Sequence, residues 1–366
     1  MLFRKNVYVS SASLSALAWR KFRRNLPGMA SLVFICIVIL IALLGYLITP
    51  DPTPYANDQH LELGLKKPGF RAGFILVPKV PGPETQGFLH TMLAGKVSAF
   101  NAYPIVDSLV GLPSPGGQPL MLTRAEALSQ FRGSVYAERT YFFGTDRFGR
   151  DVLSQLIIGS RVSLAVGFIS VLISLFIGIS VGAVGGYYRG RTDNIVMWVI
   201  NVVWSVPTLL LVIAITFALG KGFWQVFVAV GLTMWVEVAR VVRGQVLGIR
   251  EKEYVEAGRA LGFSDFRLIF HHILPNVMGI VIVISAANFA SAILLEAGLS
   301  FLGMGVQPPV PSWGTMIKEN YPYIVLDYAY LAILPGLAIM FLVLAFMLMG
   351  NALRDALDVR TSSSSY

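Results

Sequence analysis

Met29–Ile48 reads MASLVFICIVILIALLGYLI, 20 residues without a charge. Wound as a helix this run rises about 30 Å, the thickness of a bilayer's hydrocarbon core, so it reads as a membrane span. A cleaved leader would have an apolar stretch of only about 7–15 residues and then a small-residue cleavage site. Thr49-Pro50-Asp51-Pro52 follows instead, which favours an uncleaved span. Upstream, Leu14, Leu17, Ala18 and Phe22 recur at helical spacing beside Arg20, Lys21, Arg23 and Arg24. That is the pattern of a basic amphipathic helix lying on a membrane surface. Residues 1–28 therefore form an arm, and residues 29–49 the first span.

Downstream, five more apolar runs have spanning length: Val162–Tyr187, Ile195–Leu219, Phe223–Val242, Val277–Leu299 and Tyr330–Gly350. Composition agrees, with 55% hydrophobic residues and 13% charged, where a soluble domain has about a quarter charged. The net charge of +9 comes from basic residues beside apolar runs, not from a basic stripe interleaved with aromatics, which argues against nucleic acid. The sole cysteine, Cys36, lies in the first span and leaves no thiol pair for a disulfide or a metal. The reading is an all-α polytopic membrane protein of six transmembrane helices.

Six crossings put both termini on one side, and the short segments choose which. The arm, the Arg189–Asn194 loop, the stretch Arg240–Arg267 and the tail together hold sixteen Lys and Arg; the short loops opposite hold only Lys221 and Lys318. Basic residues accumulate on the cytoplasmic face, so both termini are expected there, in a plasma (inner) membrane. Residues 50–160 are then extracytoplasmic, residues 161–350 hold the five-helix core, and residues 351–366 are a cytoplasmic tail. Eleven of the 19 prolines lie from Pro50 to Pro119, too many for regular helices, so an irregular region is expected there. Two local features stand out: a capping-box spacing at Thr123–Glu126 that starts a short helix ending near Gly133, and a short strand around Phe74–Val77.

The cytoplasmic loop at about 243–276 is the most informative segment. Tyr254, Ala257, Gly258 and Leu261 fall at i, i+3, i+4 and i+7, on one helical face, and Gly262 provides a stop. Ser264 can cap a second helix carrying Phe266, Ile269, Phe270 and Ile273, with Pro275 expected to end it. Such a helix–turn–helix is either an interfacial hairpin resting on its own bundle or a docking element for a cytosolic partner. The small residues Ala257 and Gly258 permit a close approach in either case.

Glu256-Ala257-Gly258, then Gly262, then Leu274-Pro275 resembles the EAA loop of ABC importer permeases. Gly258 stands where the second alanine is usual and His272 where isoleucine is usual, but His272-Ile273-Leu274-Pro275-Asn276 is similar to the peptide-importer branch. So are Gly144-Thr145-Asp146 with Gly149-Arg150-Asp151, Gly305–Pro309 with Pro311-Ser312-Trp313-Gly314, and Leu353–Asp358. The resemblance covers about 29–49 and 141–360. It implies the type I permease fold, a homologous second permease subunit, two cytosolic ATPase subunits and an extracytoplasmic substrate-binding protein that delivers a di- or oligopeptide. It also assigns ATPase docking to Tyr254, Glu256, Ala257, Gly258, Leu261, Gly262, Leu274 and Pro275. Nickel and other small solutes are carried by the same branch, and the sequence does not name the residues that choose among them.

No Gly-x4-Gly-Lys-Ser/Thr loop occurs in the chain, so it has no such cradle for nucleotide phosphates. ATP and Mg are expected on the partner subunits, with no cofactor or metal on this chain and no enzymatic activity of its own. A secondary transporter would need intramembrane charged relays and an internal repeat, neither of which is visible. Within the spans, Gly178, Gly182 and Gly186 form a stripe for close helix packing. Pro207, Asn288 and Glu296 are the candidates for a translocation path: a mid-span proline frees backbone groups, and polar side chains avoid lipid. Glu296 is read as near enough to the outer surface to be solvated. Glu237 and Arg240 read as a snorkelling pair, and Asp146 and Asp151 as caps of a surface helix. The adjacent His271 and His272 lack the i, i+4 geometry of metal ligands.

Overall fold

The computed structural model describes residues 14–79, 87–112, 120–131, 133–220 and 222–357; Arg4, Lys5, Lys221, Asp358, Arg360 and the serines Ser362–Ser365 lie outside them. Two helices open the chain, α1 (Leu14–Arg24) and α2 (Leu26–Ile48). Asn25 separates them and caps α2, its side-chain oxygen accepting the Gly28 N–H, while Pro27 occupies the first turn, where its missing N–H has no partner to lose. α1 does not simply lie on lipid: Phe22 is buried against Ala352 and Ala356 near the end of the chain.

The proline-rich region expected to be irregular is an ordered domain. Its elements are β1 (Phe70–Pro78), α3 (Phe88–Ala94), β2 (Phe100–Val106), β3 (Leu109–Leu112), β4 (Leu120–Thr123), α4 (Arg124–Gln130) and β5 (Val135–Tyr141). The strands form one antiparallel sheet in the order β4-β3-β2-β1-β5. Proline density excludes helices but not short strands, because most of these prolines fall between them. Pro104 sits inside β2 opposite Phe74, and β3 meets β2 only at Ile105 and Val106, so one side of Pro104 is open. Both faces of the sheet are covered: Phe74 packs with Leu63, Ala72 and Tyr141, and its neighbour Ile75 packs with Val110, Leu112 and Ala127. α4 begins with the expected capping box, Thr123 Oγ1 accepting from the Glu126 N–H and the Glu126 carboxylate accepting from the Thr123 N–H.

The bundle follows: α5 (Val152–Tyr188), α6 (Gly190–Trp204), α7 (Thr208–Leu219), α8 (Phe223–Arg250), α9 (Glu253–Ala260), α10 (Asp265–Phe301), α11 (Trp313–Asn320) and α12 (Tyr330–Leu357). The glycine stripe on α5 meets α8 in ascending order: Gly178 faces Trp235 and Val238, Gly182 faces Ala239 and Val242, and Gly186 faces Arg243 and Val246. A Cβ added to Gly182 would lie 2.5 Å from the Ala239 carbonyl oxygen, so only glycine lets these backbones come so close. Ser170 Oγ donates to the Phe227 carbonyl at 3.1 Å, in the same register. α5 and α8 are therefore parallel.

Parallel neighbours settle the third span. The chain leaves α5 at one end of the bundle and enters α8 at the other, so α6 and α7 must carry it back across. They do so as a broken pair bent by 89°, not as the single kinked helix expected over Ile195–Leu219. Pro207 stands at the break, and the helical hydrogen bonds resume with Leu211 N–H to the Pro207 carbonyl. The remaining spans alternate. Ser163 on α5 reaches Glu296 on α10, and Gly167 faces Phe289, so α10 runs antiparallel to α5. Phe289 stacks on Phe346, and Gly350 faces Ala286, so α12 runs antiparallel to α10. Gly28 lies against Ala352 and Gly45 against Ile158, which puts the start of α2 level with the end of α12. The count is six crossings, with both described chain ends at one end of the bundle.

Candidate functional site

α8 ends and α10 begins at that same end, beside the end of α5, and the hairpin that joins them is the 243–276 loop. α9 closes with two backbone bonds, Gly262 N–H to the Arg259 carbonyl and Phe263 N–H to the Gly258 carbonyl, with Gly262 in the left-handed region at φ +79°. This reciprocal pair is the Schellman arrangement, and it requires a residue free of Cβ strain at Gly262. Ser264 then accepts from the Arg267 N–H and starts α10.

Pro275 was expected to end that second helix and does not: α10 continues to Phe301. The stretch Leu268–Ile273 is wound as a π-helix, with the Leu274 N–H reaching the Ile269 carbonyl five residues back. The wider turn takes up the bond and the space that proline denies its preceding turn, so the hairpin's second arm and the membrane span form one rod. Leu274 is half-buried beside it and Pro275 is exposed.

The hairpin's faces differ from the expectation at one residue. Tyr254, Glu256, Ala257 and Leu261 are exposed, Leu261 by 75%. Gly258 is buried with Val255 against Leu268, and a Cβ on it would sit 3.0 Å from Leu268 Cδ2 and 3.1 Å from Phe263 Cδ2. Gly258 thus closes the hairpin on itself instead of pointing outward with Ala257 and Leu261. Phe266 and Phe270, in contact with each other at 4.4 Å, add apolar surface to the exposed side. The base is fastened to the bundle: the Tyr187 hydroxyl donates to Asp265 at 2.5 Å, and Arg189 pairs with Glu251. Arg243 grips Asp193 through two hydrogen bonds of 2.5 and 2.6 Å, joining α8 to α6.

The three path candidates do not come together. Asn288 and Glu296 are interior, 1% and 0% exposed. Glu296 was read as partly solvated; instead it accepts from Ser300 Oγ at 2.7 Å and Ser163 Oγ at 3.4 Å, and it fastens α5 to α10. Pro207 stands apart, beside a cavity of about 300 Å³ opened by the α6–α7 break. The polar side chains that line this cavity are Thr208, Thr233, Glu237 and Ser291. Sequence reasoning missed them. Glu237 and Arg240 do not form the snorkelling pair that their spacing suggests: the Arg240 guanidinium lies 3.6 Å from the Trp204 ring centre instead.

At the opposite end, the Gly144–Asp151 motif joins the sheet domain to the bundle. Asp146 accepts from the Phe148 and Arg150 N–H groups and from Arg150 Nε, and Arg150 also pairs with Glu319 at 2.6 Å. Both aspartates are buried, so the surface-cap reading holds only in part: Asp151 caps α5 by accepting from the Ser154 N–H. Trp313 Nε1 donates to the Leu156 carbonyl and pins α11 to α5. Above this joint the domain carries an open cleft of about 910 Å³, lined by Asp51, Asp58, His60, Lys79, Lys96 and Arg139 among others. Burial alone would raise the Asp58 carboxyl, but His60 and Arg139 outweigh it and hold it at about 2.

Residues 174–363 match the family of binding-protein-dependent transport system inner membrane components, and residues 13–68 match the N-terminal transmembrane domain of oligopeptide transport permease C. The sheet domain lies between the two matched stretches. The glutathione transport system permease protein GsiD of Pectobacterium atrosepticum is 40% identical over 61% of this chain and 74% of its own length. The oligopeptide permease OppC of Bacillus subtilis is 40% identical over 60% and 72%, and the dipeptide permease DppC of the same organism is 42% identical over 60% and 68%. With the six crossings and the basic hairpin already placed, the chain belongs to the family of inner membrane components of binding-protein-dependent transport systems.

Proposed function

We propose that this chain is one of two membrane-spanning subunits of an ATP-driven importer of di- and oligopeptides, and that its α9–α10 hairpin is the contact with a cytosolic ATPase. The observation that carries the reading is the hairpin's exposed apolar face, Tyr254, Ala257, Leu261, Phe266 and Phe270, at the end of the bundle where Lys and Arg accumulate. That end is the cytoplasmic one, and both described ends of the chain, Leu14 and Leu357, lie there. The names of the relatives, for oligopeptide, dipeptide and glutathione transport, support a peptide as cargo.

Two ATPase subunits hold ATP and Mg. A homologous second permease completes the path, and a binding protein loaded with peptide docks on the sheet-domain side. The hairpin transmits force because its second arm is continuous with α10 and its base is tied to α5 through Tyr187–Asp265. Closure of the ATPases then tilts spans instead of bending a loop, and the path turns from one side to the other.

The test is reconstitution. The chain alone should hydrolyse no ATP, and the complex with its ATPases should hydrolyse it faster when loaded binding protein is added; sustained hydrolysis by the isolated chain overturns the reading. Ala257→Trp should reach the membrane at normal levels yet lose ATPase association and uptake together. Normal association of that variant removes the hairpin from the contact. Gly258→Trp should instead lower the amount of folded protein, because its side chain enters the seam with Leu268 and Phe263.

A further inference from the structure

We propose that Glu237 is the counter-charge for the ammonium group of the substrate, held in the cavity at the α6–α7 break; this deepens the peptide-importer reading and rests on it. Glu237 lies about 9 Å along α8 from Arg243, which marks the basic end through its pair with Asp193, and about 21 Å from the helix's other end. That depth is within the hydrocarbon layer. A carboxylate there is costly against lipid and is expected to face a watery cavity or a partner charge.

Its own chain supplies no such charge. Glu237 has no hydrogen bond or ion pair among the described residues. Arg240, one turn on, is drawn off by the Trp204 ring. What the chain supplies is space: the 89° break removes the helix that would otherwise cover this face, and Glu237 shares the resulting cavity with Thr208, Thr233 and Ser291. The other wall is apolar, from Trp204, Leu211, Leu294 and Leu295 among others. One fixed negative charge, three hydroxyls and an apolar wall suit a small molecule bearing an ammonium group and a side chain of variable character. A backbone amide of the same molecule can bond to the hydroxyls whatever that side chain is.

Two measurements on the assembled complex test this. First, in a Cys36→Ser background, Glu237→Cys should react with a water-soluble cationic methanethiosulfonate reagent, and dialanine with its binding protein should protect it. An unreactive thiol places residue 237 against lipid or buried protein and overturns the proposal. Second, Glu237→Gln should lower dialanine uptake by at least about tenfold, the loss expected for a charge-assisted hydrogen bond. Glu237→Asp should retain part of it, and the binding protein's affinity for dialanine, measured on that protein alone, stays as it was. Unchanged uptake overturns the assignment. Loss of the second permease from the purified Glu237→Gln complex also overturns it, and makes Glu237 an intersubunit contact. A wild-type complex that imports no peptide overturns the peptide reading itself, whatever the two Glu237 variants do.

Discussion

The bundle and the sheet domain solve the same problem, holding a chain in one arrangement, by different physics. In the bundle, helices satisfy their own backbone, lipid is as apolar as any side chain, and discrimination between neighbours falls to shape. Hence the α5–α8 seam is written in glycines, where Gly178, Gly182 and Gly186 admit Val238, Ala239 and Val246. The sheet domain has water outside, so burial of Phe74 and Ile75 on opposite faces supplies the drive, and a polar cluster, Asp58 with His60 and Arg139, adds position. A small error of volume should be ruinous in the first region and tolerable in the second. A change of charge or pH should act the other way.

The largest expected effect is at the seam. Gly182→Leu sets a side chain against the Ala239 carbonyl, part of a helix that cannot yield locally. Overpacking commonly costs about 1–3 kcal/mol, and the upper end or more applies where the obstacle is backbone. Membrane yield and the melting temperature in detergent should both fall. Unchanged values for this variant would mean the helices are not so closely opposed, and the comparison would lose its first half.

Next is Arg139→Ala, which removes the 2.6 Å partner of Asp58. The pair is partly exposed, so the loss should be about 1 kcal/mol. Its pH dependence is the sharper reading. The Asp58 carboxyl is held at about 2, below its usual range, so its contribution is complete above about pH 4 and is lost as pH falls through about 2. Exchange of β1 and β5 amides should be faster in the variant at neutral pH, and the difference should vanish below about pH 2. A difference that persists in acid would assign the effect to Arg139's packing on Phe74 and not to charge.

The smallest effect is at the domain's rim. Thr123→Ala removes half of the capping box of α4 and, because the box is exposed, should cost about 0.5 kcal/mol, the low end for a cap, seen as faster exchange confined to Arg124–Gln130. Spread of that change to the bundle would show that the two regions are energetically coupled through the Asp146–Arg150–Glu319 joint.

These regions also differ in how much of them the sequence discloses. Six apolar runs give the spans, because length and hydropathy are what lipid selects. They do not disclose geometry: the run Val202–Leu211 carries no charge through the break, and Pro207 signals a bend without its 89° size. The strands were nearly invisible, since they are 4 to 9 residues long and adjacent residues such as Phe74 and Ile75 are both buried, which erases the alternation. In the hairpin, helical spacing identified a face, but a glycine has no side chain to say which way it points, and Gly258 turned inward. Glu237 was masked by a plausible neighbour at i+3; only the placement of Trp204 shows that Arg240 is engaged elsewhere.

The broken third span bears on how the chain enters the membrane during synthesis. α6 and α7 have 15 and 12 residues, about 23 and 18 Å of helix, and neither reaches across a hydrocarbon layer of roughly 30 Å. The first N–H groups of α7 have no intrahelical partner and no side-chain cap, and lipid offers none. Residues 190–219 thus cannot be released into the bilayer as an independent segment when they emerge. α6 packs on α5 and α8, and α7 packs on α8, so the full set of neighbours of this pair exists only once α8 has been made. The order of the reading is inverted here: a later helix licenses an earlier one.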